Sequence, residues 1–151
     1  MAKKNKRLFI IDGYAVLYRA HYALIRNPLI TSYGFHTSAL FGFANQLIKI
    51  IKDEKPDYLV CAFDSKEKTF RHKIYSKYKA NRPEMPEELQ EQIPHLWELL
   101  ECMNIPVLKK PGFEADDIIG TITESMSSEE VESYIVSGDK DFMQLINEKI
   151  F

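Results

Sequence analysis

The chain has no apolar run of bilayer-spanning length. YLVCAF, one of its longest hydrophobic stretches, ends within residues 58–63, where a membrane helix needs about 20. Cysteine is scarce as well: Cys61 and Cys102 stand alone inside apolar patterns. Both read as small core residues in a reducing compartment, which excludes a disulfide scaffold and a cysteine-bound metal. No excess of one charge exists either, the net charge being −2, so the total identifies neither an acidic nor a basic partner. Internal repeats and low-complexity stretches are missing. The N-terminal MAKKNKR leads straight into a strand-like run without the apolar core of a signal peptide, so a cytoplasmic protein with no membrane partner is expected. What remains is ordinary globular composition, 45% hydrophobic and 28% charged over 151 residues, enough for one domain with a real core.

The distribution of charge is more informative than its sum. Three apolar runs lead into an aspartate: LFII into Asp12, YLVCAF into Asp64 and YIVSG into Asp139. The runs are short, β-branched and aromatic, as buried strands are. Between the first two, Leu40, Phe43, Ala44, Leu47, Ile48 and Ile51 recur at helical spacing, predicting a helix over 38–52. Strand, helix, strand is the crossover unit of a parallel sheet. The alternation continues with a helix over 87–103, a strand at 106–108, a helix over 115–126, a strand at 134–137 and a short helix at 142–146. An α/β three-layer sandwich with a mostly parallel sheet flanked by helices is therefore expected, binding its ligand outside the carboxyl ends of the strands. Residues 65–86 break the pattern. Between Lys66 and Arg82, seven basic residues, Lys66, Lys68, Arg71, Lys73, Lys77, Lys79 and Arg82, face the single acid Glu67, and Pro83 and Pro86 end regular structure. This segment reads as a basic excursion above the sheet, starting at the rim of an acidic crevice. The closing EKIF, apolar where another strand should begin, reads as the start of further structure.

Each acidic motif has a bland reading beside the chemical one. Asp12 and Asp64 could be turn residues, but acids at three parallel strand ends are what a hard cation requires of several elements. GFEADDIIG could be a helix start favoured by the dipole. With Ala115, Ile118, Ile119, Ile122 and Met126 as the apolar face, Glu114 and Asp116 flank that face on opposite sides and Asp117 points away. They meet only if the first turn faces the crevice end-on. Glu114 and Asp116 are then the better ligands, with Asp117 supporting them. In GDKDF, Asp141 could cap the following helix, or Asp139 and Asp141 could lie on one side of an extended chain and grip a metal together. Seven like charges in one crevice call for cations among them, Mg2+ or Mn2+ being the natural choice. RHKIYSKYKANR interleaves cations with Tyr75 and Tyr78, which suits a nucleic-acid backbone and its splayed bases. The four histidines show no ligand spacing.

Taken together, IIDGYAVLYRAHYAL, CAFDSKEKTFRHKIYSKYKANRPEMP, GFEADDIIGT and IVSGDKDFMQLI resemble, in order and over essentially the whole chain, the 5′-nuclease domain of bacterial DNA polymerase I, in the flap endonuclease superfamily with its PIN-like fold. The resemblance implies a monomeric 5′-3′ exonuclease or 5′-flap endonuclease acting in replication and repair on DNA with a 5′ flap or nicked duplex end. It implies two divalent ions: Asp12, Asp64, Glu114 and Asp116 around the first, with Asp116, Asp139 and Asp141 forming most of the second site. Tyr78, Lys79 and Arg82 match the family's arch, and Arg19 and Arg71 match its phosphate contacts, so that Lys79, Arg82 and Asp116 carry catalysis. The family continues into further aspartates and a duplex-gripping helical hairpin, so residues 1–151 are expected to be a catalytic core that stops short of that region. Two alternatives stay open. One is an aspartyl-phosphate phosphohydrolase, which wants a second acid where Tyr14 stands; the other is an inactive DNA-binding fragment.

Overall fold

The computed structural model describes residues 5–75, 77–81, 83–128 and 130–151. Four strands, β1 (Lys6–Asp12), β2 (Tyr58–Ala62), β3 (Val107–Leu108) and β4 (Val131–Val136), form one sheet in the order β3-β2-β1-β4. All three pairings are parallel. β1 is central, and Leu8, Phe9, Ile10 and Ile11 are all buried, as a strand covered on both faces must be.

Strand order dictates the layers. The chain moves outward from β1 to β2 and β3, then returns across β1 to β4. Right-handed crossovers running in opposite directions place their helices on opposite faces. Accordingly α1 (Gly13–Ala23), α2 (Ser38–Lys49) and α5 (Ile93–Cys102) cover one face, where Phe9, Ile11, Cys61 and Phe63 meet Val16, Leu17, Phe43, Leu47, Leu96 and Leu100. Helix α6 (Ala115–Met126) covers the other, where Leu8, Ile10 and Ala62 meet Ala115, Ile119 and Phe142. The three-layer α/β sandwich expected from the sequence is present, and its direction reverses beside β1, where such sheets place their ligands.

Several elements depart from expectation. Helix α1 has no counterpart in the sequence reading; it begins immediately after the last residue of β1 and supplies much of the first core. The single helix expected over 87–103 is two, α4 (Glu87–Gln90) and α5. Pro94 lacks an N–H and crowds the carbonyl four residues back. Gln92 sits fully buried at the break, donating to Glu88 C=O at 2.7 Å and accepting from Leu40 N–H at 3.0 Å. β4 starts at Val131, not 134, and the last helix is a 3-10 turn, Lys140–Leu145. Cys61 is buried as expected, its thiol pushed up to about 12 by burial, whereas Cys102 is exposed on α5. Within the basic excursion lies α3 (Phe70–Ile74). At the other end, Phe151 N–H donates to Ser133 C=O at 2.9 Å and Ile135 N–H to Phe151 C=O at 2.8 Å, a parallel pairing outside β4. Among the described residues no helix is long and apolar enough to cross a membrane.

Two glycines permit the packing behind the site. A Cβ on Gly13 would lie 2.2 Å from the Phe63 ring, and one on Gly42 would lie 2.6 Å from Ala20 Cβ, where α1 crosses α2. Gly42→Ala gains helix propensity, about 1 kcal/mol, but overpacks the crossing by about 1–3 kcal/mol. A net loss of stability is expected in urea denaturation; a gain would show that the crossing relaxes freely.

Candidate metal and phosphate site

The acids reach the crevice from four places. Asp12 closes β1 and caps α1, its Oδ1 accepting from Ala15 N–H at 3.3 Å while Oδ2 accepts from the Ser137 hydroxyl at 2.7 Å. Asp64, just past β2, accepts from Ala115 N–H at 2.7 Å, fastening the strand end to the first turn of α6. That helix start presents Glu114, Asp116 and Asp117 beside amides that lack partners within the helix and are taken by side chains instead, Ala115 N–H by Asp64 and Asp117 N–H by Asp116, the end-on arrangement that the apolar face demands. Asp139 follows β4 and caps the 3-10 turn, accepting from Asp141 N–H at 2.9 Å.

Asp12, Asp64, Glu114, Asp116 and Asp139 line one open cavity of about 700 Å3, which Lys79 also reaches. An adjoining cavity of about 470 Å3 shares Asp116 and Asp139 and adds Asp117, Asp141, Arg71 and Tyr78. All seven acids singled out in the sequence thus border two neighbouring spaces. Asp141 is not beside Asp139 in extended chain, because it lies inside the 3-10 turn. Asp139, not Asp141, is the capping residue.

Electrostatics divide the seven. Burial raises Asp12 above the usual carboxylate range; the Ser137 and Ala15 hydrogen bonds hold it down, while Asp64 and Asp139 push it further up. Asp116 is raised by burial too, with Asp117 and Glu114 adding repulsion. Asp117 goes the other way, because Arg71 grips it through two hydrogen bonds of 2.8 Å. Glu114, only 4% exposed, accepts from Lys79 Nζ at 2.8 Å and from Tyr78 OH at 3.1 Å, with Arg71 Nη1 at 3.6 Å. Part of the positive charge that seven acids require is therefore the protein's own, drawn in from the basic excursion. Among the described residues no three acidic, histidine or cysteine side chains are arranged to hold a metal ion; the acids are gathered, and internal donors hold them apart. The donor set fits a hard divalent cation in kind, being oxygen throughout and drawn from several elements. The repulsion that Asp64 and Asp139 exert on Asp12 is what such an ion would relieve.

The basic residues are distributed unevenly. Lys79 holds a left-handed backbone, φ 58°, at the cavity wall, and the Tyr78 ring meets His72 edge-on at 5.3 Å. Arg19 is exposed on α1 and does not line either cavity. Arg82 lies outside the described residues. Sequence reasoning missed Tyr14, Tyr18 and Tyr22, which line the larger cavity from α1; their four-residue spacing was the available signal. It also missed Ser137, for which a lone serine after a strand gives no signal.

The Arg71–Asp117 pair carries a pH signature. A carboxylate whose folded pKa is depressed contributes stability above its unfolded value, about 3.9, and loses it as pH falls through the folded value. Arg71→Gln is expected to lower stability at pH 7 by about 1–3 kcal/mol, with the gap to the unmodified protein closing below about pH 4. Urea melts across pH 3–7 check this, and a gap constant with pH would sink it.

Known proteins share this chain's sequence pattern and fold. The model of the 5′-3′ exonuclease N-terminal, resolvase-like domain matches residues 7–151. A 5′-3′ exonuclease of Aquifex aeolicus is 46% identical over 145 residues, covering 96% of this chain and 50% of that protein. DNA polymerase I of Bacillus subtilis is 42% identical over 147 residues, covering 97% of this chain and 16% of that protein. The chain thus spans half of the first relative's length and a small part of the polymerase's. In structure, a bacteriophage T5 protein co-crystallised with metal ions aligns at TM-score 0.71 and 21% identity, over 96% of this chain and 54% of that one. A bacteriophage T5 flap endonuclease in a pseudo-enzyme-product complex with DNA and metal ions aligns at 0.70 and 21%, over 96% and 53%. Sequence match and shared fold lead to one assignment: the chain belongs to the 5′-3′ exonuclease N-terminal, resolvase-like domain family.

Proposed function

We propose that this domain is the catalytic core of a divalent-metal-dependent 5′ nuclease that hydrolyses DNA phosphodiester bonds at 5′ flaps and nicked duplex ends, in the cytoplasm and as a monomer. One observation carries the reading: acids from three strand ends and a helix start share a single cavity with Lys79. The names of the relatives support it. Asp12, Asp64, Glu114 and Asp116 would hold one ion, and Asp116, Asp139 and Asp141 would contribute to a second, with Mg2+ or Mn2+ suiting oxygen donors. Asp117, bound to Arg71, suits a supporting role. Bound there, such ions activate water and neutralise charge on the phosphoryl oxygens.

The chain's own residues supply the rest. Lys79, 2.8 Å from Glu114, needs only to turn from that carboxylate to reach a phosphate, where it would offset charge growing in the transition state. Tyr78 offers a ring to a terminal base, and Arg71, Arg82 and Arg19 offer cations to the backbone. An aspartyl-phosphate mechanism is disfavoured: Tyr14 packs edge-on against Phe63 at 5.2 Å where a second acid would have to be.

The test is cleavage of a 5′-labelled flap substrate in Mg2+. Asp116→Ala is expected to abolish turnover, and Lys79→Met to slow it by about 10²–10³-fold; EDTA should stop the unmodified protein and the residual activity of Lys79→Met. Undiminished cleavage by Asp116→Ala would refute the assignment. Binding of the flap without any turnover by the unmodified chain would favour a DNA-binding role for these 151 residues.

A further inference from the structure

We propose that Ser137 is a positioning residue of the crevice, its hydroxyl setting the spacing between Asp12 and the Asp139 turn. This rests on the reading of the crevice as a divalent-cation site. The β1–β4 register ends with Ile11 opposite Val136, so Asp12 and Ser137 form the next pair, the first beyond the ladder. A serine hydroxyl has one proton to give and lone pairs to receive. Ser137 uses both: the proton goes to Asp12 Oδ2 at 2.7 Å, and the oxygen accepts from Asp139 N–H at 3.1 Å. One atom therefore bridges the acid that ends β1 and the backbone of the acid that follows β4. Its influence extends further, since Asp139 Oδ1 accepts in turn from Asp141 N–H at 2.9 Å.

An ordinary serine turn accounts for the Asp139 bond alone. The bond to Asp12 spans 125 positions in sequence and has no part in forming the turn. It also completes the fixing of Asp12, whose other oxygen is held by Ala15 N–H. With both oxygens held by fixed donors, the carboxylate cannot rotate about its last torsion, and its free lone pairs stay aimed. Groups that orient a metal-binding carboxylate in this way govern affinity without touching the ion. Substituting alanine frees Asp12 Oδ2 and strips the Asp139 N–H of its acceptor in the same step.

Titration of the full chain with Mn2+, read by the paramagnetic resonance of the free ion, tests the proposal without any turnover. Ser137→Ala is expected to bind Mn2+ about 10–100-fold more weakly, and Ser137→Thr, which keeps the hydroxyl, to stay within about threefold of the unmodified protein. Circular dichroism in EDTA reports whether Ser137→Ala is folded. If it is not, Ser137→Cys, close in size and a weaker donor, takes its place with about a tenfold loss expected. Equal Mn2+ affinity in the serine, alanine and threonine proteins would overturn the positioning role while leaving the cation site standing. An unmodified protein that binds no Mn2+, or an Asp116→Ala variant that binds it undiminished, would overturn the cation site itself.

Discussion

Carboxylates crowded at one end of a parallel sheet repel, and the architecture of this domain follows from how that repulsion is contained. Four of the seven acids are matched to donors from other elements: Asp12 to Ser137, Asp64 to the first amide of α6, Glu114 to Lys79 and Tyr78, Asp117 to Arg71. Three kinds of donor share the task. Helix-start amides hold the acids that belong to the sheet, a hydroxyl joins two strand ends, and the basic excursion neutralises the helix. The excursion is thereby part of the site's electrostatics as well as a wall above it.

The scaffold makes such crowding tolerable by being stiff. Strands β1 and β2 end at the same level because Asp12 pairs with Ala62, and apolar cores on both faces keep them there. Burial of Phe43, Phe63, Leu17 and Ile119, each fully covered, contributes about 1.5–3 kcal/mol per side chain. That is enough to hold a few partly compensated acids in place. Gly13 joins the two levels of description: without a side chain it lets Phe63 lie over the start of α1, directly behind Asp12.

Much of this was legible in the sequence because apolar runs ending on aspartate encode both a strand and the end that carries an acid. The parallel sheet, the helix carrying Glu114 and Asp116, and the basic excursion all follow from such local patterns. The failures have physical causes. Helix α1 starts at the residue where β1 stops, and its mixture of tyrosines and small residues gives a weak apolar period. The break before α5 depends on Pro94, visible in the sequence, and on the burial of Gln92, which is not. Asp139 and Asp141 read as an extended pair, but Asp139 caps a 3-10 turn that contains Asp141. Least legible were the pairs across the crevice, since nothing local announces that Arg71 will find Asp117 or that Ser137 will find Asp12.

The double hydrogen bond from Arg71 to Asp117 gives the excursion a clasp. Both side chains are largely covered, at 27% and 20% exposure, so dissolved salt screens the pair less than it screens an approaching polyanion. Rising ionic strength would therefore weaken long-range attraction to the proposed nucleic-acid substrate well before it unfastens the clasp. In such a medium the excursion stays fastened to the start of α6 while the pull on a distant polyanion fades.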